Sequence, residues 1–450
     1  MSERKRIPSP NGHWFWGHTL AFKDKPLEYC MDAREAHGDV VKFRIGFHDW
    51  ILVNDPKIVW DICVKRQREF LKPKIAKRLW SKFLGEGILA ADGDKWKRNQ
   101  KLVRPGFHRE RIEAYGKIIV DYTTMLADAW RADESGKRDI QKDMTRLTLA
   151  IVCKTLFDAD FADDDNRVNS AMATLNEIML DHIHLPLPTP RWWPSAKNRK
   201  KVAALDEIED IVVSMIHERK VEAVDRGDLL SMLIQARDEN GEQLDDKQLR
   251  DEAMTLFFAG HDTTSNALTW MWLLLSRHPE VETRLLEELE SVLQGRPPTF
   301  EDLRHLPYLD MVVKESMRIL PSVWVFMREP AEDVEIDGYH FPKGAFIMIS
   351  PYTLGHHPEL FENPERFDPE RFTKENEAQL PPGAYVPFAA GNRMCIGKAF
   401  ASMEARLVLA TLLPAFKAGV PKDYEPELLA ELSLHPKDGM PFDVRPRPQL

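Results

Sequence analysis

The sequence has no apolar segment long enough for a secreted or membrane-spanning chain. The N-terminal stretch Met1–Pro8 is basic, but no apolar run follows it, and nowhere do about 18 consecutive apolar residues occur. A signal peptide and a transmembrane helix are therefore not expected. We expect a cytoplasmic protein.

Cysteine is scarce: Cys30, Cys63, Cys153 and Cys395 are scattered through 450 residues. Without close pairs they predict neither a disulfide framework nor a Cys-x-x-Cys zinc site, which fits a reducing compartment. The formal net charge of −10 argues against general binding of nucleic acid. Internal repeats and low-complexity linkers are also lacking, so we expect one domain over residues 1–450. We also expect a monomer.

Helical periodicity dominates the sequence between Pro56 and Leu320. The predicted breaks within it are Gly85–Gly87, Pro105-Gly106, Leu185–Pro194 and Asp238–Gly241. Short β-runs lie outside it, at Val40–Ile45, Ile51–Val53, Val334–Ile336, Ala345–Ile349 and between Leu432 and Val444. The pattern predicts a mainly α protein with small β-sheets, an α+β fold class.

One of these breaks, Leu185–Pro194, contains prolines that forbid a helix and the adjacent pair Trp192-Trp193. Two neighbouring tryptophans require burial or a partner. A lid over a substrate channel and a packed connector between two helices explain this loop equally well.

Cys395 lies in the segment Phe388–Gly397, whose composition favours an ionised thiol. Gly391 and Gly397 permit tight backbone conformations, so that main-chain N–H groups can point at the sulfur. Arg393 places a cation two residues before the cysteine, and a helix starting near Gly397 would direct the positive end of its dipole to the same place. These features predict a thiolate that binds a soft metal. The alternative is a buried cysteine in an ordinary loop.

A second unusual segment interrupts the longest predicted helix, which starts near Asp245 and runs for about 30 residues. Its apolar middle contains the polar run His261–Ser265, preceded by Gly260, whose place in a helix interior costs about 1 kcal/mol. Hydroxyl and carboxylate groups there can bond to backbone carbonyls, open the hydrogen-bond ladder and admit water. Asp262 beside Thr263 could relay protons. The alternative is a polar patch on a bent surface helix.

These two segments carry a family resemblance. Phe388–Gly397 matches the pattern Phe-x-x-Gly-x-Arg-x-Cys-x-Gly at every fixed position, and Ala259–Thr264 reads Ala-Gly-x-Asp-Thr-Thr. Both are similar to motifs of the cytochrome P-450 monooxygenases. The resemblance implies the cytochrome P-450 fold, with its long central helix over the haem, and haem b as the cofactor. It also implies Cys395 as the iron ligand, Asp262 as a proton-relay carboxylate and Thr263 as the hydrogen-bond partner of bound dioxygen.

Further positions of the resemblance concern the haem propionates. Arg393 and Arg328 match the family's propionate-binding cations, and Trp96 matches a tryptophan whose indole N–H donates to a propionate. One turn later the family usually has Arg or His, whereas this chain has Gln100. Gln100 can donate a hydrogen bond but brings no charge, so the charge balance around one propionate is expected to differ.

The pair Glu315-x-x-Arg318 places an acid and a base on one helix face. Together with the later run Pro364–Phe372, it resembles the family's buried Glu-Arg-Arg network. The resemblance implies Arg371 as the third member, and Arg366 competes because the local pattern occurs twice. We expect a structural role, in which the network fixes the segment that leads to the cysteine loop.

The implied reaction inserts one atom of O2 into an apolar small molecule, by hydroxylation or epoxidation. No flavin or nicotinamide fingerprint occurs in the sequence, so we expect a separate ferredoxin or flavodoxin, with its reductase, to supply electrons. The run Lys95–Arg111 holds seven basic residues against one acid, Glu110. It matches a helix on the face where the family's electron donors dock, and we expect it to form the docking surface for the electron donor. The simpler interpretation is a solvated helix face without a partner.

The substrate is less defined. Apolar residues stand where the family lines its pocket: Phe258, Val323, Trp324, Val325, Phe326 and Leu434. A fatty acid, a terpenoid and a polyketide would suit such a pocket equally well. Each of these residues could instead belong to the hydrophobic core. Two other classes stay open, a haem-thiolate isomerase or dehydratase that needs no reductase, and a non-catalytic haem-binding protein. The hypothesis of a zinc protein has less support, since no second Cys or His stands at ligand spacing from Cys395.

Overall fold

The computed structural model describes residues 5–159, 193–222 and 224–447. They fall into two compact units. The first comprises the described residues up to Lys77, Lys314–Cys395 and Leu432–Leu434. The second comprises the described parts of Arg78–Val313, Ile396–Glu431 and the described residues from His435 onward. The single domain over residues 1–450 stays a prediction.

Helices make the described chain mainly α, as the sequence predicts. Numbered in chain order, they are α1 Thr19–Asp24, α2 Pro26–His37, α3 Pro56–Trp60, α4 Lys74–Leu84, α5 Gly93–Val103, α6 Arg109–Ala132, α7 Ile140–Phe157, α8 Ala196–Glu222, α9 Leu229–Gln235, α10 Asp246–Arg277, α11 Pro279–Leu293, α12 Pro307–Ile319, α13 Pro351–Gly355, α14 Lys374–Glu377 and α15 Lys398–Leu412. A single π-helical turn spans Asp61–Lys65, and 3-10 turns span Arg104–Phe107, Glu301–His305, Pro369–Phe372 and Gly391–Arg393.

The strands are short and form small sheets. They are β1 Val40–Ile45, β2 His48–Val53, β3 Phe70–Leu71, β4 Lys137–Asp139, β5 Phe326–Pro330, β6 Val334–Ile336, β7 Tyr339–Phe341, β8 Phe346–Ile349, β9 Phe416–Gly419, β10 Leu428–Ala430, β11 Leu434–Pro436 and β12 Pro441–Pro446. The predicted β-runs therefore all contain strands, which confirms the small β content.

A five-stranded sheet organises the first unit, in the order β1-β2-β8-β5-β3. β1 and β2 form the predicted antiparallel hairpin, in which Ile45 lies opposite His48. The second strand begins at His48 rather than at the predicted Ile51, because pairing continues up to the two-residue turn Gly46-Phe47. β8 runs parallel to β2 and antiparallel to β5.

A separate hairpin in the first unit joins β6 to β7 through Asp337 and Gly338. Their φ angles of 50° and 81° lie in the left-handed region, where an Asp-Gly pair is favoured. The predicted turn is therefore confirmed.

The second unit is built around α10, which at 32 residues is the longest helix of the described chain. A capping box fixes its start, because the Asp245 carboxylate accepts from the Gln248 N–H and the Gln248 side chain accepts from the Asp245 N–H. The predicted start and length are confirmed. This unit also contains the three-stranded sheet β4-β12-β9.

Two of the predicted helix breaks, Gly85–Gly87 and Asp238–Gly241, lie between helices, while Pro105-Gly106 lies in a 3-10 turn. Residues 185–192 of the predicted lid are outside the described residues, so the lid stays a prediction. Across the described ranges, none of the helices is both long enough and apolar enough to cross a membrane.

Candidate active site

The segment around Cys395 folds back on itself within the first unit. The Cys395 N–H donates to the Phe388 carbonyl at 2.9 Å, and the Met394 N–H donates to the Gly391 carbonyl at 3.0 Å. Ala389 and Gly391 adopt φ angles of 57° and 71°, which lie in the left-handed region. The reversal therefore depends on unusual backbone angles, one of which falls on the glycine that the motif requires.

Gly391 is also needed because of what lies against it. A Cβ atom at this position would collide with the carbonyl oxygen of Cys63, which belongs to the π-helical turn Asp61–Lys65. The carboxamide oxygen of Gln67 accepts the Asn392 N–H at 2.7 Å. The sequence analysis missed both Cys63 and Gln67, since they lie more than 300 residues from the loop.

The four cysteines differ in exposure. Cys30, Cys63 and Cys153 are buried, whereas Cys395 is exposed. Burial raises the pKa of the Cys30 and Cys63 thiols, which keeps both protonated. α15 begins at Lys398, three residues after Cys395, in agreement with the predicted helix start near Gly397. Cys395 is therefore the accessible sulfur at the start of a helix.

The polar segment of α10 forms an opening in an otherwise buried helix. Between Asp251 and Leu275 every residue is buried except Ala259, Gly260, Asp262 and Thr263. Ala259 is exposed and carries only a methyl group, so it leaves room beside the helix, whereas Gly260 packs against Val152, which a Cβ atom at this position would crowd. The predicted acid and alcohol lie together at this opening, half-buried, in the second unit.

The hydrogen-bond ladder of α10 is not opened, and this part of the sequence prediction was wrong. The Thr263 hydroxyl donates to the Ala259 carbonyl at 3.1 Å, and the Thr264 hydroxyl donates to the Gly260 carbonyl at 3.3 Å. These carbonyls can accept a second donor alongside the backbone N–H, so the helix runs unbroken from Asp246 to Arg277.

Two buried titratable side chains flank the opening. His261 is buried, and burial lowers its pKa against the opposing effect of Asp262, so it is neutral. Glu404 of α15 is fully buried facing Thr264, and burial raises its pKa well above the usual value. Its two carboxyl oxygens have no hydrogen-bond partner among the described residues. Glu404 was not anticipated, because neighbouring residues in sequence give no sign of its burial.

A histidine–carboxylate pair was also missed. His435 Nε2 lies 2.7 Å from Glu431 Oε2, and both side chains are largely buried. Burial lowers the pKa of His435, but the contacts with Glu431 and with the Pro436 carbonyl act together against it, so the pKa is raised overall. Asp262 contributes in the same direction.

The predicted ion network is present in the first unit. Arg318 Nε and Nη2 donate to Glu315 Oε2 and Oε1 at 2.6 and 2.8 Å, and both side chains are fully buried. Arg371 Nε lies 3.3 Å from Glu315 Oε1, whereas Arg366 contributes only its carbonyl, an acceptor for Arg318 Nη2 at 3.2 Å. The choice of Arg371 over Arg366 is therefore confirmed. Burial raises the pKa of Glu315, with Arg318 opposing it most strongly.

This network also satisfies backbone groups. Arg318 Nη1 donates to the Gly355 carbonyl at 2.5 Å, and Glu315 Oε1 accepts the Asp368 N–H at 2.9 Å. It therefore joins α12 to the segment that leads to the cysteine loop, which is the structural role that the resemblance implies.

The four residues expected to hold propionates are distributed over both units. Arg393 ends the 3-10 turn Gly391–Arg393 and is half-buried, and Arg328 is 8% exposed on β5, with Nη1 donating to the Met327 carbonyl at 2.9 Å. Trp96 is buried on α5, and Gln100 is half-buried one turn later. Both arginines belong to the first unit, and Trp96 and Gln100 belong to the second.

The predicted basic surface, Lys95–Arg111, carries less unpaired positive charge than the sequence suggests. Acidic residues elsewhere in the sequence reach it, so that six of its seven basic residues have ion partners: Lys95 with Glu86, Lys97 with Asp94, Arg98 with Asp238, Lys101 with Glu239, Arg109 with Glu113, and Arg111 with Asp225. Within the described part of the chain, Arg104 has no such partner. Counting charges only between Lys95 and Arg111 overestimated the positive charge, because all six partners lie outside that run.

Two carboxylates near the start of α10 hold the loop before α5. Asp251 Oδ2 accepts the Glu86 N–H at 2.7 Å, and Glu252 Oε2 accepts the Ile88 N–H at 2.9 Å. A Cβ at Gly85 would collide with the Asp251 carboxyl group. The sequence analysis recorded Gly85–Gly87 as a break without identifying what binds it.

The apolar positions assigned to a pocket fall into two groups. Trp324 is buried with its ring 6.4 Å from that of Phe22, and Leu434 is fully buried with its N–H bonded to the Ser322 carbonyl. These two belong to the core of the first unit. Phe258 is buried against Trp80 in the second, while Val323, Val325 and Phe326 are partly exposed.

An accessible sulfur donor and a helix opening with an acid and an alcohol are typical of haem-dependent oxygenases that carry a thiolate ligand. The family model of cytochrome P450 matches residues 7–441. The chain belongs to the cytochrome P450 family.

Individual relatives agree with this family. Cyclooctat-9-en-7-ol 5-monooxygenase of Streptomyces melanosporofaciens is 35% identical over 402 residues, 88% of this chain and 86% of the relative. Pentalenene oxygenase of Streptomyces avermitilis is 31% identical over 94% of this chain and 93% of its own. Among solved structures, the haem domain of cytochrome P450DA matches with a TM-score of 0.90 and 28% identity, over 99% of both chains.

The fold is thus the cytochrome P450 fold, the cofactor is haem b, and the enzyme is a cytochrome P450 monooxygenase. Such an enzyme acts with a substrate, O2 and a redox partner. The described residues fit the cofactor in two respects. A cysteine sulfur, the donor that suits haem iron in this class, is exposed, and the exposed Ala259 leaves space beside α10.

Proposed function

We propose that the Cys395 thiolate would bind haem iron. The observation that carries this proposal is the exposed thiol at the end of a loop that leaves no room for a side chain at Gly391. The loop holds the sulfur in place through the Cys395 N–H···Phe388 hydrogen bond and through its packing on Cys63. Haem, when bound, supplies the activation of dioxygen by which one oxygen atom enters the substrate.

Arg328, Arg393, Trp96 and Gln100 would hold the propionates. Arg328 and Arg393 supply positive charge from the first unit, and Trp96 supplies an indole N–H from the buried face of α5. Gln100 would donate a neutral hydrogen bond. With only two of these four groups charged, we expect ionic strength to affect haem retention less than in relatives with Arg or His at position 100.

Asp262 and Thr263 would deliver protons to the site where oxygen is reduced. They are adjacent, half-buried and located at the opening of α10, while the neighbouring Thr264 is buried. The Thr263 hydroxyl donates to the Ala259 carbonyl, which leaves its oxygen lone pairs able to accept a hydrogen bond from a donor at the opening. Asp262 can exchange protons with water, because it is only half-buried.

The substrate proposed here is an apolar terpenoid, chosen from the three classes that the sequence leaves open. The relatives named for cyclooctat-9-en-7-ol and pentalenene support it. A separate ferredoxin or flavodoxin with its reductase would supply the electrons, and the enzyme would act in the cytoplasm as a monomer. Terpenoid hydrocarbons that bind should shift the Soret band of the ferric enzyme more strongly than fatty acids of similar size.

The absorption spectrum of the dithionite-reduced, carbon monoxide-treated protein tests the ligand. We expect a strongly red-shifted Soret band in the wild type, its loss in Cys395→Ala, and its retention in the matched variant Cys30→Ala, which removes a buried thiol of the same unit. A red-shifted band that survives Cys395→Ala would reject Cys395 as the ligand.

A second experiment tests the proton-delivery roles. Thr263→Ala should keep NADPH consumption in a reconstituted system but release most electrons as peroxide, whereas Thr264→Ala, which removes a buried hydroxyl, should stay coupled. Equal product yields in the two variants would exclude Thr263 from the role. Turnover without NADPH would instead support the isomerase or dehydratase alternative.

A further inference from the structure

Residues 13–17 form a closed turn that presents aromatic side chains to solvent. The His13 N–H donates to the Gly17 carbonyl and the Gly17 N–H donates to the His13 carbonyl, both at 2.8 Å. Between them, Trp14, Phe15 and Trp16 are 84%, 53% and 51% exposed. The turn is thus an ordered element of the first unit, with apolar side chains outside it.

Two further apolar side chains extend this surface. Leu20 on α1 is 56% exposed, and Phe47 at the tip of the β1–β2 hairpin is 92% exposed. The Gly46 N–H donates to the Thr19 hydroxyl at 2.9 Å, and the Arg44 guanidinium donates to the Trp14 carbonyl at 2.9 Å. These bonds tie the turn, the helix and the hairpin tip together. We call Trp14, Phe15, Trp16, Leu20 and Phe47 the aromatic face.

Hydrogen bonds and close packing beneath the aromatic face hold its backbone in place. The buried His18 ring accepts the Arg44 N–H on Nδ1 at 2.9 Å, and its Nε2 lies 3.1 Å from the Pro10 carbonyl oxygen. Gly17 has a φ angle of 59°, and a Cβ there would meet the Arg44 carbonyl. A flexible tail could leave aromatic residues exposed by chance. Here the backbone is held so that they remain exposed, which is costly in water.

The charge around the aromatic face differs from that of the whole protein. Residues 5–50, which contain it, hold seven basic and six acidic residues, although the protein carries a net charge of −10. Lys23 and Lys25 lie on and next to α1, close in sequence to Leu20. Basic charge beside exposed aromatic residues complements a surface that is anionic outside and apolar beneath.

We propose that the aromatic face docks on an anionic lipid surface, with Trp14, Trp16 and Phe47 inserted at the headgroup level. Tryptophan is favoured there because its ring is apolar and its N–H can stay hydrated. The face protrudes from a turn and a hairpin tip, which suits shallow insertion better than a pocket on a protein partner. This inference goes beyond the proposed function, and it requires no membrane-spanning helix.

Co-sedimentation of the haem-loaded protein with vesicles tests the proposal. Vesicles of phosphatidylcholine mixed with phosphatidylglycerol should bind the wild type, and pure phosphatidylcholine vesicles should bind it more weakly. The triple variant Trp14→Ser, Trp16→Ser, Phe47→Ser should lose binding at least about tenfold. The double variant Val213→Ser, Val221→Ser, which removes exposed apolar side chains of the second unit, should bind like the wild type.

A charge variant separates the two contributions. Lys23→Gln with Lys25→Gln should weaken binding to the anionic vesicles by about fivefold per charge, and should have little effect with pure phosphatidylcholine. Wild-type protein that stays in the supernatant with both vesicle types overturns the proposal. So does equal binding of the triple variant. If the wild type self-associates without lipid and the triple variant does not, the face binds a second copy, and the proposal is also rejected.

Discussion

Replacing Arg318 by Met should destabilise the protein severely, because Arg318 is the centre of a buried network. Its guanidinium contacts both oxygens of Glu315, and it also donates to the carbonyls of Gly355 and Arg366. Neither partner of the ion pair is exposed. Removing Arg318 leaves the buried charge of Glu315 compensated only by Arg371 at 3.3 Å, and breaking such a buried pair costs about 3–5 kcal/mol.

The double variant Glu315→Leu, Arg318→Met should not recover this loss. It removes the uncompensated charge, but it leaves the Gly355 and Arg366 carbonyls and the Asp368 N–H without their partners. An unsatisfied buried group costs about 1–3 kcal/mol, and since the Gly355 carbonyl is buried and the other two groups are partly buried, we expect a total of about 3 kcal/mol. In an isolated buried ion pair, by contrast, the apolar replacement is often neutral.

Urea denaturation of the haem-loaded proteins, followed by far-ultraviolet circular dichroism, measures these effects. Arg366→Met is the matched control: it makes the same chemical change at an exposed side chain whose carbonyl is kept, and it should stay within about 0.5 kcal/mol of the wild type. If the double variant returned to within about 1 kcal/mol of the wild type, the backbone contacts would contribute little, and the reasoning would be refuted.

Three further outcomes are expected. Gly391→Ala should abolish the red-shifted carbon monoxide band while leaving helix content unchanged, because its Cβ would collide with the Cys63 carbonyl; an unchanged spectrum contradicts this. Burial raises the pKa of Glu404 above that of the unfolded chain, so the wild type should lose stability relative to Glu404→Gln as pH rises above about 4.3, which urea titrations of both proteins at several pH values would measure. Arg104→Gln should raise the KM for a ferredoxin more than Lys101→Gln, because Lys101 is paired with Glu239; the reverse order would show that pairing does not decide docking.

Features that depend on neighbouring residues were predictable from the sequence. The reversal at Gly391, the helix that starts at Lys398 and the Asp337-Gly338 turn follow from local backbone preferences, so short motifs are enough to predict them. The start of α10 at its Asp245 cap is local for the same reason.

Features that depend on distant partners were not predictable. Arg366 and Arg371 share the same local pattern, so only the family resemblance favoured Arg371, and only the fold shows which guanidinium reaches Glu315. The acidic partners of the basic run come largely from other segments, such as Glu239 for Lys101, so a charge count over one stretch overestimated its positive charge. Burial of Glu404 likewise depends on packing that no neighbouring residue indicates.

The carboxylates Asp251 and Glu252 determine where α10 can move. They bind the Glu86 and Ile88 N–H groups, which ties the first turns of this helix to the loop before α5. Any rotation of those turns would break two hydrogen bonds to buried charged groups. Rearrangement of α10 on substrate binding should therefore occur on the C-terminal side of Glu252, where these two hydrogen bonds do not hold the helix.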